Sequence, residues 1–367
     1  MEGREQPDEH QRPKDGRDRH VSKLAEGALE QHGLQGARVA YLESKGRGKL
    51  LFRVDAPASR RHPLHKLLFR ADASTPERFL LRLHERHTIS EASLRSEMLW
   101  LRDLRRESDL LVPEPIPDAN GSFVSRVRAE GSPEPRLCVL TRWVPGINKT
   151  PHLVSEDLFS AGSQIAQLHR HSERYAVPEG FVRPYPYDWE RVFGEESPLW
   201  NKSEDAYSQG QLEVFRVAAE RTCHALRELG EERDVFGLIH SDPTPNNFVF
   251  QDEEARVIDF ASCGWGHYLY DVAVALSALE AHGEHRAGLR AAFLEGYRRE
   301  RPIPEGHLGH LGAFRTMRLA RRVATVLDRG DPARQQWGPA RFSKVVERIE
   351  KYVASDGGVE RMDLGPP

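Results

Sequence analysis

The chain begins with alternating apolar and polar positions and continues, for most of its length, with apolar positions at helical spacing. Alternation predicts short strands at 37–44, 49–56 and 77–85, and two more in GSFVSRV and RLCVLTRWV. Helical spacing interrupts this part at 21–32 and 90–106, where Ser90 is a candidate N-cap. After Pro145 and Gly146, helical spacing dominates, in the segments 155–171, 203–230, 270–281, 284–299 and 306–328.

This change of pattern predicts an α+β protein of two lobes, with a crevice between them where a ligand could bind. We expect a small β-rich N-lobe with one internal helix and a larger, mostly helical C-lobe. The predicted organisation is a disordered tail, N-lobe, interlobe linker, C-lobe and flexible tail, at 1–20, 21–141, 142–146, 147–354 and 355–367.

Composition excludes several classes of function. The 367 residues carry a net charge of −3, so no overall field favours nucleic acid, and we interpret the dispersed arginines as solvated helix faces. No apolar run is long enough to span a membrane, and the N-terminus has no apolar signal region. Three cysteines without CxxC spacing favour a reduced, cytoplasmic setting.

Candidate chemistry is concentrated in IHSDPTPNNFVF (239–250) and the nearby ARVIDF (255–260). The two apolar runs predict a hairpin, which would bring Asn247 and Asp259 to the same end, with Asp242 on the loop leading in. These carboxylates and the carboxamide offer hard oxygen ligands for Mg²⁺ and an acid to act as a base, as phosphoryl transfer requires. The alternative is that each residue only caps a turn.

HSDPTPNN and IDF resemble the catalytic loop and metal-binding segment of the aminoglycoside phosphotransferase and choline kinase family. The resemblance continues in FLLRLHE, LTRWVPG, IAQLHRHS and HYLYDVAVAL, and covers about 20–330. FVRPYPYDWE is similar to a segment of many unassigned members. The resemblance implies a two-lobed, protein-kinase-like fold and an ATP- and Mg²⁺-dependent transfer of phosphate to a hydroxyl of a small molecule.

Carried over to this chain, the resemblance implies that Asp242 is the catalytic base and that Asn247 and Asp259 bind Mg²⁺. Arg82 stands where the family has a phosphate-binding Lys, and Glu97 would be its ion-pair partner. The alternatives are a surface strand residue for Arg82 and an exposed helical acid for Glu97.

Further nucleotide contacts are expected from two segments. Gly46 and Gly48 of SKGRGK would let backbone N–H groups approach phosphate, although the segment could equally be a hairpin turn. Backbone groups of residues 141–144 (Thr141 to Val144) would contact adenine, with Trp143 packed nearby.

Two residues near the predicted base have structural alternatives. We interpret His240 as a support for the loop. Asp271 could be catalytic, an N-cap or part of a buried ion pair.

The catalytic loop departs from the family pattern at four positions, occupied here by Ser241, Pro243, Thr244 and Asn246. Asn246 replaces a glycine and tolerates left-handed geometry. After IDF, Ala261 and Ser262 stand where many relatives have acids. These changes keep open a catalytically silent, kinase-like nucleotide-binding protein.

Other enzymes fit less well. A Cys263 thiol nucleophile would have no oxyanion site, and the histidines lack zinc-binding spacing. A protein kinase would need a longer segment than the eleven residues from Phe260 to Tyr270. The acceptor is open: Asp188, Trp189 and Glu190, with Tyr185 and Tyr187, could hold an aminoglycoside or choline, or form a packed surface. The oligomeric state is also open.

Overall fold

The computed structural model describes residues 16–42, 48–57, 77–85, 88–128, 134–183, 188–201, 208–328 and 339–355. The chain divides into two compact units. Unit 1 comprises Met1–Met98 and Glu114–Trp143, and unit 2 comprises Leu99–Pro113 and Val144–Pro367. No helix in the described part of the chain is long and apolar enough to cross a membrane.

Unit 1 contains an antiparallel sheet of six described strands in the order β1-β2-β3-β6-β4, with β5 also paired to β6. The strands are β1 Arg38–Leu42, β2 Lys49–Ala56, β3 Glu77–His84, β4 Pro115–Ile116, β5 Ser125–Val127 and β6 Arg136–Arg142. Helix α1 (Gly16–Gln31) covers one face, where Leu24 and Ala28 join a buried cluster with Phe52 and Leu81. The alternating apolar residues of β2 and β3 therefore form the core of unit 1.

Helix α2 (Glu91–Glu107) begins as the sequence indicates, because the Ser90 hydroxyl accepts a hydrogen bond from the Ser93 amide at 3.2 Å. Four of its apolar residues, which recur at helical spacing, are buried: Leu94, Met98, Leu101 and Leu104. The part of α2 from residue 99 belongs to unit 2, where Trp100 packs edge-to-face on Phe260.

Unit 2 is mostly helical. Its described helices are α3 Ser155–Arg174, α4 Trp189–Phe193, α5 Pro198–Asn201, α6 Gln209–Leu229, α7 Tyr268–Ala278, α8 Arg286–Glu300, α9 Glu305–Leu308, α10 Leu311–Asp328 and α11 Pro339–Ala354. Helices α3 and α8 pack so closely that a Cβ at Gly162 would lie 2.0 Å from the Phe293 carbonyl oxygen. Glycine is required at this crossing because the helix backbones touch.

Two short antiparallel pairs complete unit 2 and carry the candidate site. Strands β7 (Phe236–Ile239) and β10 (Gly264–His267) form one pair, and β8 (Phe248–Gln251) and β9 (Glu254–Val257) form the other. The second pair is the hairpin that the sequence predicts. The loop that carries the predicted base, Asp242, joins β7 to β8.

Candidate active site

The loop from 240 to 247 is held by its own histidine. His240 is fully buried, its Nδ1 accepts a hydrogen bond from the Asp242 amide at 3.2 Å, and its Nε2 lies 3.0 Å from the Ile258 carbonyl oxygen. A neutral ring with its proton on Nε2 satisfies both contacts. The imidazole also packs edge-to-face on Phe260. His240 therefore connects the loop to the end of β9, in agreement with the supporting role that we expected.

The Asp242 carboxylate is held from two sides. The Asn247 Nδ2 donates to Asp242 Oδ2 at 3.0 Å and to the Asp242 carbonyl oxygen at 2.8 Å. Arg318, on α10, donates from Nη2 to Asp242 Oδ1 at 2.6 Å. The Asp242 side chain is still 37% exposed, so a ligand hydroxyl can reach it. Each carboxylate oxygen accepts more than one hydrogen bond, so both contacts leave capacity for a substrate donor.

A buried carboxylate braces this loop from behind. Asp271, fully buried in the first turn of α7, accepts hydrogen bonds from the amides of His240 and Ser241, both at 2.8 Å. Its Oδ2 also lies 3.1 Å from His169 Nε2. Of the roles considered from sequence, these contacts agree best with the buried one, because Asp271 holds two backbone amides and the His169 ring.

His169 extends the brace to Tyr297. Its Nδ1 lies 2.8 Å from the Tyr297 hydroxyl, and the ring is fully buried. Burial lowers the pKa of His169, while its hydrogen bond to Asp271 opposes the shift. The neutral ring can donate from Nε2 to Asp271 and accept from the Tyr297 hydroxyl at Nδ1, so both ring nitrogens of His169 have a hydrogen-bond partner. Residues from α3, α7 and α8 thereby fix one loop.

Asn247 and Asp259 lie at the same end of the hairpin. Phe248 pairs with Val257, and the Ile258 amide donates to the Asn247 carbonyl oxygen at 2.9 Å. Asp259 follows immediately, in a left-handed conformation with φ 61°. The hairpin therefore brings the Asn247 and Asp259 backbones to one end, and the loop adds Asp242.

The segment after Asp259 is held by a residue that sequence reasoning did not select. The Arg183 guanidinium is buried, with Nε donating to the Cys263 carbonyl oxygen at 2.7 Å and Nη2 to the Ala261 carbonyl oxygen at 3.1 Å. Arg183 belongs to FVRPYPYDWE, the segment noted for its resemblance to unassigned members. One buried arginine thus satisfies carbonyl groups beside the predicted metal-binding residue.

Left-handed geometry in the catalytic loop lies at Ser241, with φ 69°, and not at Asn246. Asn246 belongs to a right-handed 3₁₀ turn, Pro245–Asn247. The Ser241 conformation directs its amide to Asp271, and its hydroxyl is buried with no hydrogen-bond partner among the described residues. The strained position of the loop therefore directly precedes the predicted base.

In unit 1, Arg82 and Glu97 form an ion pair, with Arg82 Nη2 2.5 Å from Glu97 Oε1. Their side chains are 8% and 1% exposed, which excludes the surface alternatives for both. A buried guanidinium paired in this way is fixed in position, with five donors to share between carboxylate and phosphate.

The other expected nucleotide contacts lie mostly in unit 1. Gly46 lies outside the described residues, and Gly48 has φ 93° beside β2. Thr141 is buried on β6, paired with Leu80. The Trp143 amide donates to the Arg78 carbonyl oxygen at 2.9 Å. Val144 begins the second segment of unit 2.

The residues considered for acceptor binding have packing roles where they are described. Asp188 caps α4 by accepting from the Glu190 amide at 3.2 Å, and Trp189 Nε1 donates to the Ala219 carbonyl oxygen at 2.9 Å. Tyr185 and Tyr187 lie outside the described residues. These contacts favour the packed-surface alternative.

The alternative chemistries find no support in the described part of the chain. Cys263 is fully buried, which removes its thiol from any substrate. Among the described residues, no group of three or more His, Cys, Asp or Glu side chains is placed to hold a metal ion.

Comparisons with known proteins agree on one family. The APH family model, described as a phosphotransferase enzyme family, matches residues 65–307. Amicoumacin kinase of Bacillus subtilis is 26% identical over 193 residues, which are 52% of this chain and 54% of that protein. Homoserine kinase of Caulobacter vibrioides is 27% identical over 234 residues, 62% of this chain and 67% of the relative. The aligned part thus spans about half of the first relative and two thirds of the second.

Solved structures show the same fold. A microcompartment-associated aminopropanol kinase superposes with a TM-score of 0.70 at 24% identity, covering 92% of this chain and 98% of that one. An amicoumacin kinase bound to AMP-PNP and Ca²⁺ gives 0.69 at 19% identity, covering 90% and 92%. The predicted α+β, protein-kinase-like class is confirmed. The chain belongs to the APH phosphotransferase enzyme family, as its catalytic loop predicted.

Proposed function

We propose that this chain transfers the γ-phosphoryl group of ATP to a hydroxyl group of a small molecule. The observation that carries the proposal is the Asp242 carboxylate, accessible to a ligand yet held by Asn247 and Arg318 on a loop braced by Asp271. A fixed, accessible carboxylate is suited to orient a hydroxyl and to accept its proton as the phosphoryl group is transferred.

The donor set fits Mg²⁺. The Asn247 Nδ2 is engaged by Asp242, which directs the amide oxygen to the other side of the carboxamide, and Asp259 adds a carboxylate at the same end of the hairpin. Mg²⁺ is commonly held by one or two such oxygens, with water and phosphate oxygens completing its shell. When bound, Mg²⁺ would neutralise charge on the phosphates. We propose Asn247 and Asp259 as its ligands.

Within unit 1, we propose that Arg82, fixed by Glu97, binds phosphate oxygens of ATP. The predicted contacts of Gly46 and Gly48 with phosphate, and of Thr141, Trp143 and Val144 with adenine, stay predictions. Catalysis by these residues would consist of positioning and charge stabilisation.

A small acceptor fits the segment after Asp259. Helix α7 begins at Tyr268, so residues 260–267 hold only a 3₁₀ turn (Phe260–Ser262) and β10. Arg183 ties this turn to the rest of unit 2. The segment is too short to present an extended peptide, which disfavours a protein kinase.

We further propose a reducing, cytoplasmic setting. All three cysteines are free thiols, and two of them, Cys138 and Cys263, are buried. Unpaired cysteines are typical of compartments in which thiols stay reduced.

The proposal is tested by ADP release from Mg·ATP in the presence of amino alcohols, hydroxy acids, sugars and aminoglycosides. Acceptor-dependent ADP release with formation of a phosphate monoester supports a kinase. Tight Mg·ATP binding without release for any acceptor supports the catalytically silent nucleotide-binding protein instead.

A further inference from the structure

Arg183 is a buried arginine that binds two backbone carbonyl groups of unit 2. It is 6% exposed, and its Nε donates to the Cys263 carbonyl oxygen at 2.7 Å. Its Nη2 donates to the Ala261 carbonyl oxygen at 3.1 Å and also to that of Cys263. A buried guanidinium keeps its charge, so hydrogen-bond acceptors of the protein must replace the water that it loses. The carbonyl groups of residues 261 and 263 supply such acceptors.

These two carbonyl groups belong to the segment that leads away from the predicted metal ligand Asp259. Asp259 is followed by the 3₁₀ turn Phe260–Ser262, and β10 begins at Gly264. The turn closes with a backbone hydrogen bond from the Cys263 amide to the Phe260 carbonyl oxygen, at 2.9 Å. Carbonyl groups at the end of so short a turn have no partner within it. Arg183 therefore provides hydrogen bonds that the turn itself cannot make.

Asp259 lies between two anchored points of the backbone. On one side, the Ile258 amide donates to the Asn247 carbonyl oxygen at 2.9 Å, and on the other side Arg183 binds the Ala261 carbonyl oxygen. Asp259 itself has φ 61° and ψ 67°, a left-handed conformation that residues other than glycine rarely adopt. Such a conformation persists where neighbouring contacts hold it. The direction of the Asp259 side chain consequently depends on the contact that Arg183 makes two residues further on.

The chain that carries Arg183 is itself fixed by aromatic packing. Two residues earlier, the Phe181 ring packs edge-to-face on Tyr175, with ring centroids 6.1 Å apart, and on Trp265, with centroids 6.4 Å apart. Tyr175 directly follows α3, and Trp265 lies on β10. The Arg183 guanidinium is thus attached to a backbone that is held beside the turn it binds.

We propose that Arg183 is a positioning residue for Asp259: by holding the carbonyl groups of residues 261 and 263, it keeps the Asp259 carboxylate where it can bind Mg²⁺. The inference rests on the proposed function, because it concerns the metal site of that same reaction. Lysine cannot take the place of this arginine, because one ammonium group on a flexible stem does not reproduce two donors fixed in one plane. Arg183→Lys therefore loses the geometry and keeps the charge.

The first test measures how much Mg²⁺ strengthens nucleotide binding, and it needs no turnover. Calorimetry gives the Kd of AMP-PNP with excess Mg²⁺ and with a chelator, and the ratio of the two is the gain in affinity from the metal. We expect this gain to be roughly tenfold smaller in Arg183→Lys, about the effect of one lost hydrogen bond to a charged group. Because the charge is kept, the change reports the position of Asp259. A gain within about twofold of that in the unmodified protein would overturn the inference.

Arg290 provides the matched control. It is likewise a buried arginine of unit 2, and its Nε donates to the Leu276 carbonyl oxygen at 2.9 Å. Arg290→Lys should lower the free energy of unfolding, as Arg183→Lys does, and should leave the gain in affinity from Mg²⁺ unchanged. Equal losses of this gain in the two variants would show that general destabilisation is responsible, and would contradict the inference.

Amide hydrogen exchange separates this inference from the kinase proposal, because it needs neither metal nor nucleotide. We expect peptides that cover 260–263 to exchange at least about tenfold faster in Arg183→Lys and Arg183→Gln, while the β8–β9 hairpin keeps its rates. Unchanged exchange at 260–263 would contradict the inference whether or not the protein is a kinase. Faster exchange in a protein whose nucleotide binding never responds to Mg²⁺ would also overturn it. If both results hold and no acceptor supports ADP release, the kinase function fails and the positioning role of Arg183 stands.

Discussion

Arg318 and Asp242 form an ion pair, with Nη2 2.6 Å from Oδ1, although 76 residues separate them in the chain. The same guanidinium donates from Nη1 to the Ser241 carbonyl oxygen at 3.2 Å. Two nitrogens of one rigid fork therefore fix both the side chain of the predicted base and the backbone that precedes it. Arg318 is therefore a positioning residue for Asp242.

Replacing Arg318 should lower turnover in a graded way. Arg318→Gln removes the ion pair, and we expect kcat to fall by about 10- to 100-fold, since a charged hydrogen bond contributes about 1.5–3 kcal/mol. Arg318→Lys keeps the charge but cannot reproduce both contacts, so its kcat should be intermediate. Mg·ATP affinity, measured by calorimetry, should stay unchanged. Equal losses in both variants would indicate that the fold, and not the ion pair, is affected.

Ser241→Gly should stabilise the protein. Ser241 has φ 69°, and its buried hydroxyl has no described hydrogen-bond partner, so glycine relieves both costs. We expect the free energy of unfolding to rise by about 1 kcal/mol, measured as a higher urea midpoint. Ser241→Ala removes the hydroxyl and keeps the backbone strain, so its midpoint should lie between the two. A glycine variant less stable than the alanine variant would show that the left-handed backbone is not strained.

Acid should destabilise the fold through His267. Burial lowers the pKa of His267 to about 4, while its hydrogen bond to the Gly230 carbonyl opposes the shift. Because the unfolded chain binds the proton at a pKa near 6.5, stability is full above 6.5 and falls as the pH drops toward 4. The free energy of unfolding falls through this group by about 3 kcal/mol at most. Burial also lowers the pKa of His169, so this residue likewise destabilises the fold as the pH falls.

The measurement is the unfolding midpoint between pH 7.5 and 5. His267→Gln should flatten this pH dependence, because glutamine does not titrate. His224→Gln provides the matched control, since its side chain is 74% exposed. If the unfolding midpoints of His267→Gln and the unmodified protein fall equally with pH, burial of the neutral His267 ring does not cause the loss of stability in acid.

Gly296→Ala should disrupt the contact between α3 and α8. A Cβ there would lie 1.9 Å from the Phe159 carbonyl oxygen, so the helices must separate. We expect the free energy of unfolding to fall by roughly 3 kcal/mol, measured by chemical unfolding. Gly288→Ala, on the same helix with nothing within 4 Å, should be neutral or stabilise by about 0.5–1 kcal/mol. An unchanged free energy of unfolding in Gly296→Ala would contradict the close approach of the two backbones.

The parts of the fold that were predictable depend on local periodicity. Strand β2 and helix α2 were predicted within a residue or two, because apolar spacing alone determines which face is buried. The hairpin of β8 and β9 followed from two short apolar runs around a polar turn. The short helices α4 and α5 and strand β10 were not predicted, since GWGH and PLWN are too short to show a period.

The supporting contacts of the site could not be predicted from spacing. Asp271 and His169 are 102 residues apart, and Arg183 and Cys263 are 80 apart. Such pairs arise from tertiary packing, which leaves no periodic signal in the chain.

The most direct test of the proposed function is Asp242→Asn. Asparagine keeps the size of the side chain but cannot accept the proton of the acceptor hydroxyl. We expect acceptor-dependent ADP release to fall at least about 1,000-fold, while the calorimetric affinity for Mg·ATP stays within about twofold. An Asp242→Asn protein with near-complete turnover would contradict the assignment of Asp242 as the catalytic base.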